Sequence, residues 1–221
     1  IGLHAVAVLG HARVYHGLLL AFANTVGHNL RARSLDEAGD PRSEFDVTRS
    51  AWTPVQLAVA CLGIVFAFVG KEIVDTGSNG KFTEAAAYIP VLFLIALVQT
   101  TEQPAGAIMS RSARAASATW TRTIMGLGTL IALIPTIVWF GIKGALVICL
   151  IEAVAYRSYL RILASRERDV PFHDHIVIFG SFVILSAIAC THWASPNLTM
   201  RMCLIVLGTS MLLALAHRSV S

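Results

Sequence analysis

The stretch ALIPTIVWFGIKGALVICLIEAVAY, residues 132–156, decides how the rest of the chain must be read. Lys143 and Glu152 are its only charged residues. A helix needs about 20 predominantly apolar residues to cross the hydrocarbon of a bilayer. The apolar runs 119–140 and 143–163, which this stretch joins, both reach that length. Glycines in Phe140-Gly-Ile-Lys-Gly144 permit a tight reversal between them, and Lys143 can reach the headgroups there. Pro135 removes one backbone hydrogen bond and is expected to kink its span. Trp139 is expected at the membrane interface, where indole rings settle.

Working outward, the composition agrees. Hydrophobic residues make up 56% of the 221 positions and charged residues only 14%. A soluble domain carries about a quarter charged residues, because its surface faces water. The chain is therefore expected to be all-α, a polytopic membrane helical bundle of about seven transmembrane helices. The spans lie at roughly 4–28, 52–70, 85–108, 119–140, 143–163, 174–193 and 201–217. The net charge of +4 does not point to nucleic acid, since the basic residues sit in short loops between apolar runs.

Those loops alternate. Segment 29–51 carries Arg31, Arg33, Arg42 and Arg49, whereas 71–84 carries only Lys71 and Lys81. Arg111 and Arg114 follow, then Lys143 alone, then Arg157, Arg161, Arg166 and Arg168, then Arg201 alone and Arg218. Loops rich in arginine face the cytoplasm in multi-pass proteins, so the C-terminus is expected inside and the first residue outside. The chain starts at Ile1 with no charged leader before it, which reads as the C-terminal piece of a longer protein.

Ionisable groups at mid-depth carry the functional argument, because a charge facing lipid costs several kcal/mol. Glu152 lies nine residues past Lys143, and Arg13 about ten residues into the first span. The two either pair to lock helices or line a hydrated pathway. Gln99, Glu102 and Gln103, followed by Pro104, share one helix face; they form a polar wall, or Glu102 nears the interface. Arg122, three residues into its span, is placed to snorkel. His16 and Asn24, about two turns apart, suit interhelical hydrogen bonds.

Other chemistry finds no foothold in the sequence. It contains no Gly-rich phosphate loop, no nucleophile elbow and no metal-ligand spacing, and no cofactor is expected. Cys61, Cys149, Cys190 and Cys203 are scattered through apolar runs and read as small hydrophobes. His173 and His175 form a lone H-x-H in a loop, and Asn197-Leu-Thr199 a formal glycosylation sequon. A rhodopsin-like receptor would need a lysine in the last span, and 201–217 has none.

Two segments carry a resemblance. GKEIVDTGSNGKFTEAAAYIPVLFLIALVQ, residues 70–99, feeds a loop with glycine and an aromatic into a span opening near Pro90. LGTLIALIPTIVWFGIKGALVICLIEAVAY, residues 127–156, runs apolar, then proline, then a glycine-bounded turn into the next span. With the connector SLDEAGDPRSEF at 34–45, the chain resembles the C-terminal half of O-antigen and exopolysaccharide flippases. These belong to the multidrug/oligosaccharidyl-lipid/polysaccharide exporter superfamily, and the likeness covers about residues 5–165.

The resemblance implies one lobe of a two-lobe transporter, with the N-terminal lobe missing. It implies an undecaprenyl-pyrophosphate-linked oligosaccharide moved from the cytoplasmic to the outer leaflet of the cell inner membrane. Its partners would be membrane lipids, that substrate, and the glycan polymerase and export machinery. Arg13 would be the first phosphate contact, with Arg122, His16 and Asn24 beside it and Glu102 and Glu152 coupling cations or tuning sugar recognition. One departure stands out: the family's cavity is often lined by several basic residues, and here only Arg13 and Arg122 qualify. A drug/cation antiporter of the same superfamily and a membrane-embedded enzyme of lipid-linked glycan assembly are the alternatives. The short outside loops at 71–84, 140–143 and 194–200 leave such an enzyme little room.

Overall fold

The computed structural model describes residues 3–36, 41–102, 115–167, 175–193 and 196–220, and every regular element among them is helical. In chain order these are α1 (Leu3–Asp36), α2 (Pro41–Ser78), a 3₁₀ turn η1 (Thr83–Ala87), α3 (Ile89–Thr100), α4 (Ala115–Glu167), α5 (His175–Trp193) and α6 (Leu198–Val220). Five of them contain stretches long and apolar enough to cross a membrane: Leu3–Asn29, Trp52–Ser78, Ala116–Arg166, His175–Trp193 and Leu198–His217. Large apolar side chains cover the outer surface, among them Leu3, Val138, Ile134, Phe182 and Leu207. A coat so apolar suits hydrocarbon and not water. The chain is a multi-pass membrane protein.

The count differs from the expected seven at two places. Expected spans 119–140 and 143–163 fall in the single element α4, in which Gly141 (φ 64°, ψ −151°) alone leaves helical geometry. The break thus lies at the glycine of the turn, while Pro135 stays within helix. The two arms fold back on each other. Thr121 donates to the Tyr159 hydroxyl at 3.0 Å, and Ser117 Oγ lies 3.2 Å from the same atom. Ala118, Tyr156, Leu160, Leu163 and Ala164 make a small core between the arms. The second difference is expected span 85–108, represented by η1 and the 12-residue α3; residues 103–108, with Gln103 and Pro104, lie outside the described residues.

Helix α3 is the sheathed centre. Ten of its residues, from Ile89 to Thr100, are buried, which is why it is apolar on every face. Its last turn is polar but satisfied: the Thr100 hydroxyl donates to the Leu97 carbonyl at 2.7 Å and the Thr101 hydroxyl to Val98 at 2.6 Å. Helix α2 packs on α1, α3, α5 and α6, whereas α4 joins the bundle along α3.

Lipid tails are as apolar as leucine, so close packing rather than water exclusion holds such helices together. Small residues supply it. A Cβ at Gly180 would stand 2.9 Å from the Ala60 Cβ and 3.2 Å from Leu97 Cδ2. One at Gly27 would enter the Trp52 ring at 2.5 Å, and Trp52 is itself 1% exposed. Trp120, Trp139 and Trp193 instead stand outside, as interface anchors do.

Helix ends are closed locally. Asn79 (φ 51°) and Gly80 (φ 75°) turn left-handed after α2, the Gly80 N–H reaches the Asp75 carbonyl at 2.9 Å, and the Thr83 hydroxyl donates to the Asp75 carboxylate. Asn197 of the formal sequon accepts from the Met200 N–H at 2.9 Å and so caps α6. Arg201 ties α6 to α2: its Nη1 donates to Glu72 Oε1 at 2.8 Å and to the Phe68 carbonyl at 3.2 Å.

The packing argument yields a stability test. Gly180→Leu forces α5 off α2 and α3 and should cost about 1–3 kcal/mol, read as a lower thermal midpoint in detergent. Gly126→Leu, where nothing lies within 4 Å of the new Cβ, should leave the midpoint unchanged or raise it.

Candidate functional site

Helix α4 follows α3 but stands off α1, and the gap is a cavity of about 610 Å³. Its walls are single helix faces. Leu9, Arg13 and His16 come from α1, and Leu92, Ile95 and Gln99 from α3, with Glu102 just past its end. Arg122, Leu133 and Ile137 come from the first arm of α4, and Ala145, Cys149, Glu152 and Tyr156 from the second. Steps of three and four residues repeat along each set, so each helix turns one stripe inward.

The structure therefore brings together Arg13, His16, Glu102, Arg122 and Glu152, five of the residues singled out from the sequence, along with Gln99. Asn24 is elsewhere: it is exposed and does not line the cavity. Cys149 and Tyr156 line it unannounced. Their signal was available, because they sit three residues before and four after Glu152 on the same helix face.

Arg122 does more than snorkel. Its Nη1 lies 3.5 Å from Glu102 Oε2, and its guanidinium carbon sits 5.1 Å from the centre of the Tyr156 ring. The arginine thus links the end of α3 to both arms of α4 through an ion pair and a cation–π contact. Glu102 is the buried partner, its side chain 11% exposed against 65% for Arg122.

Arg13 and Glu152 do not pair. Among the described residues neither takes part in a salt bridge, though both act electrostatically on Cys149 between them. Their charges face the same open volume instead of cancelling at contact. Two further polar atoms in its walls, His16 Nε2 and Gln99 Oε1, are buried without a hydrogen-bond partner. Buried polar atoms are almost always satisfied, so atoms left open on a cavity wall are the ones that meet water or a bound molecule.

The fixed charges balance, with two guanidinium groups against two carboxylates. Such a lining can meet a polar guest through hydrogen bonds and through charges of either sign. Among the described residues no three His, Cys, Asp or Glu side chains converge on a metal-sized site, and His173 lies outside those residues. Compared with family models, curated proteins and solved structures, the chain gives no match.

The Arg122–Glu102 pair is asymmetric, and its variants should be too. Arg122→Gln leaves a mostly buried carboxylate without its cation, while Glu102→Gln leaves an exposed arginine still resting on Tyr156. Thermal unfolding in detergent at neutral pH should show the larger loss for Arg122→Gln, and Glu102→Gln/Arg122→Gln should recover part of it.

Proposed function

We propose that the chain is a membrane transporter that flips an undecaprenyl-pyrophosphate-linked oligosaccharide across the cytoplasmic membrane for polysaccharide export. The observation that carries this reading is the cavity between α1, α3 and α4, which places Arg13, Glu152, His16 and Gln99 around one open volume inside an apolar bundle. A sugar–phosphate head cannot cross hydrocarbon unaided, because each polar group stripped of water costs several kcal/mol. A polar cleft lets the head travel while the lipid tail stays in the bilayer.

Topology supports the same reading. This reading counts the two arms of α4 as separate crossings and takes α3 as the described part of another, seven in all. An odd count with arginine-rich loops inside leaves the C-terminus cytoplasmic, as the final lobe of a fourteen-span, two-lobe transporter requires. In such a transporter a second lobe would close the open side of the cavity, and alternating access between lobes would carry the head across.

Residue roles follow from what each group is free to do. Arg13 has no carboxylate partner among the described residues, so its planar fork remains free for phosphate oxygens. Arg122 is held by Glu102 and Tyr156 and shapes the wall. His16 and Gln99 offer neutral hydrogen bonds to sugar hydroxyls. A drug/cation antiporter is the second reading, and one observation favours it: Glu152 lies close enough to Glu102 to act on it electrostatically, as paired cation-coupling carboxylates do.

The test uses cells whose surface glycan depends on this chain's full-length gene. Arg13→Gln should cut surface glycan by roughly tenfold, the worth of one charge-assisted contact, while lipid-linked precursor accumulates. Asn24→Ala should change neither. Unchanged export in Arg13→Gln would sink the flippase reading. Glu152→Gln that abolishes cation-driven drug efflux while glycan export continues would establish the antiporter instead.

A further inference from the structure

A second cavity, of about 560 Å³, opens at the end of the bundle where α2 and α5 finish, α6 begins and α4 bends. Among the described residues Leu146 alone lines both cavities, which lie one after the other along the second arm of α4.

Its charge is one-sided. Lys71 comes from α2, Lys143 from just past the Gly141 bend, His192 from the last turn of α5 and Arg201 from the first turn of α6. Among the described residues no acidic side chain lines the cavity. The carboxylates nearest in sequence already have partners, and one of them, Glu72, is paired with the cavity's own Arg201, so the two lysines carry the unbalanced positive charge. Glu72 accepts from Arg201, Asp75 accepts from Thr83, and Glu84 lies 3.5 Å from His4 Nε2. Lys71 and Lys143 form no salt bridge with any described residue. Arg201 is pre-oriented, since Nε donates to the Pro196 carbonyl at 2.8 Å and Nη1 to Phe68 and Glu72.

The remaining lining is apolar and aromatic, including Phe66, Phe68, Val147 and Ile188. A cationic group of side chains above an oily wall matches an amphiphile. The position agrees, because all four basic residues sit at or near the ends of apolar spans, where headgroups lie. Trp193, 84% exposed, stands next to His192 at the same end.

We propose that this cavity binds a phosphate group, carried by an anionic lipid headgroup or free in solution, through Lys71, Lys143 and Arg201. Two ammonium groups and a guanidinium that line one cavity from separate helices would hold an anion by charge-assisted bonds and in doing so clamp α2, α4 and α6 together. The site is distinct from the mid-depth cavity and does not depend on the transport reading.

The experiment is thermal unfolding of the full chain in a neutral detergent, titrated with dioctanoyl phosphatidylglycerol, with dioctanoylglycerol lacking the phosphate, or with inorganic phosphate. The phosphate-bearing probe should raise the midpoint saturably, and dioctanoylglycerol should not. Lys71→Gln/Lys143→Gln removes exposed side chains, so the protein still folds; its apparent affinity for the probe should fall roughly tenfold or more. Arg13→Gln should leave that affinity unchanged. Lysine-dependent stabilisation by phosphatidylglycerol alone assigns the site to a lipid headgroup, and by inorganic phosphate to a soluble anion. Equal stabilisation of the wild type and the double lysine variant, or none by either phosphate, would overturn the proposal.

Discussion

An ionised side chain halfway through an apolar bundle must meet a counter-charge, a dipole or water, because hydrocarbon offers none of these. Arg13, Glu102, Arg122 and Glu152 all face that constraint, and the bundle answers it in two ways. Arg122 and Glu102 meet each other, with Tyr156 beneath the guanidinium. Arg13 and Glu152 meet open volume. The second answer is possible only because α4 stands away from α1, so the architecture of the hairpin and the polarity of the cavity are one problem.

Away from that cavity the helices pack tightly. Gly27, Gly63, Gly180 and Gly208 let α1, α2, α5 and α6 approach until a single methyl would collide or press, and α3 is enclosed on nearly every side. One half of the molecule is thus a dense frame around α2 and α3, and the other a hairpin leaning on α3 alone. The buried Trp52 against Gly27 and the Arg201–Glu72 link fix opposite ends of α2 within that frame.

Much of this was legible in residue order. Apolar runs and scarce charge gave a helical membrane protein, and the glycine turn at 140–144 marked where α4 reverses. Mid-depth ionisable residues pointed to the cavity because few lipid-facing positions tolerate them. The span count was less legible, since hydropathy alone does not distinguish a buried 12-residue helix such as α3 from part of a full crossing. Asn24 lies off the cavity for a related reason: periodicity along α1 does not say which stripe meets α3 and which faces outward. The end cavity was invisible in sequence, because Lys71, Lys143, His192 and Arg201 belong to four separate segments that only the packing brings together.

The central claim is that the open volume beside Glu152 is wet. It is tested most directly by replacing Cys61, Cys149, Cys190 and Cys203 with alanine, introducing a single cysteine at 152 or at the neighbouring 151, and measuring modification by a charged, membrane-impermeant methanethiosulfonate. Ile151 is exposed on the lipid-facing surface, whereas Glu152 lines the cavity. The account predicts ready modification in Glu152→Cys and little in Ile151→Cys. Equal resistance at both positions, in well-folded protein in a bilayer, would contradict it.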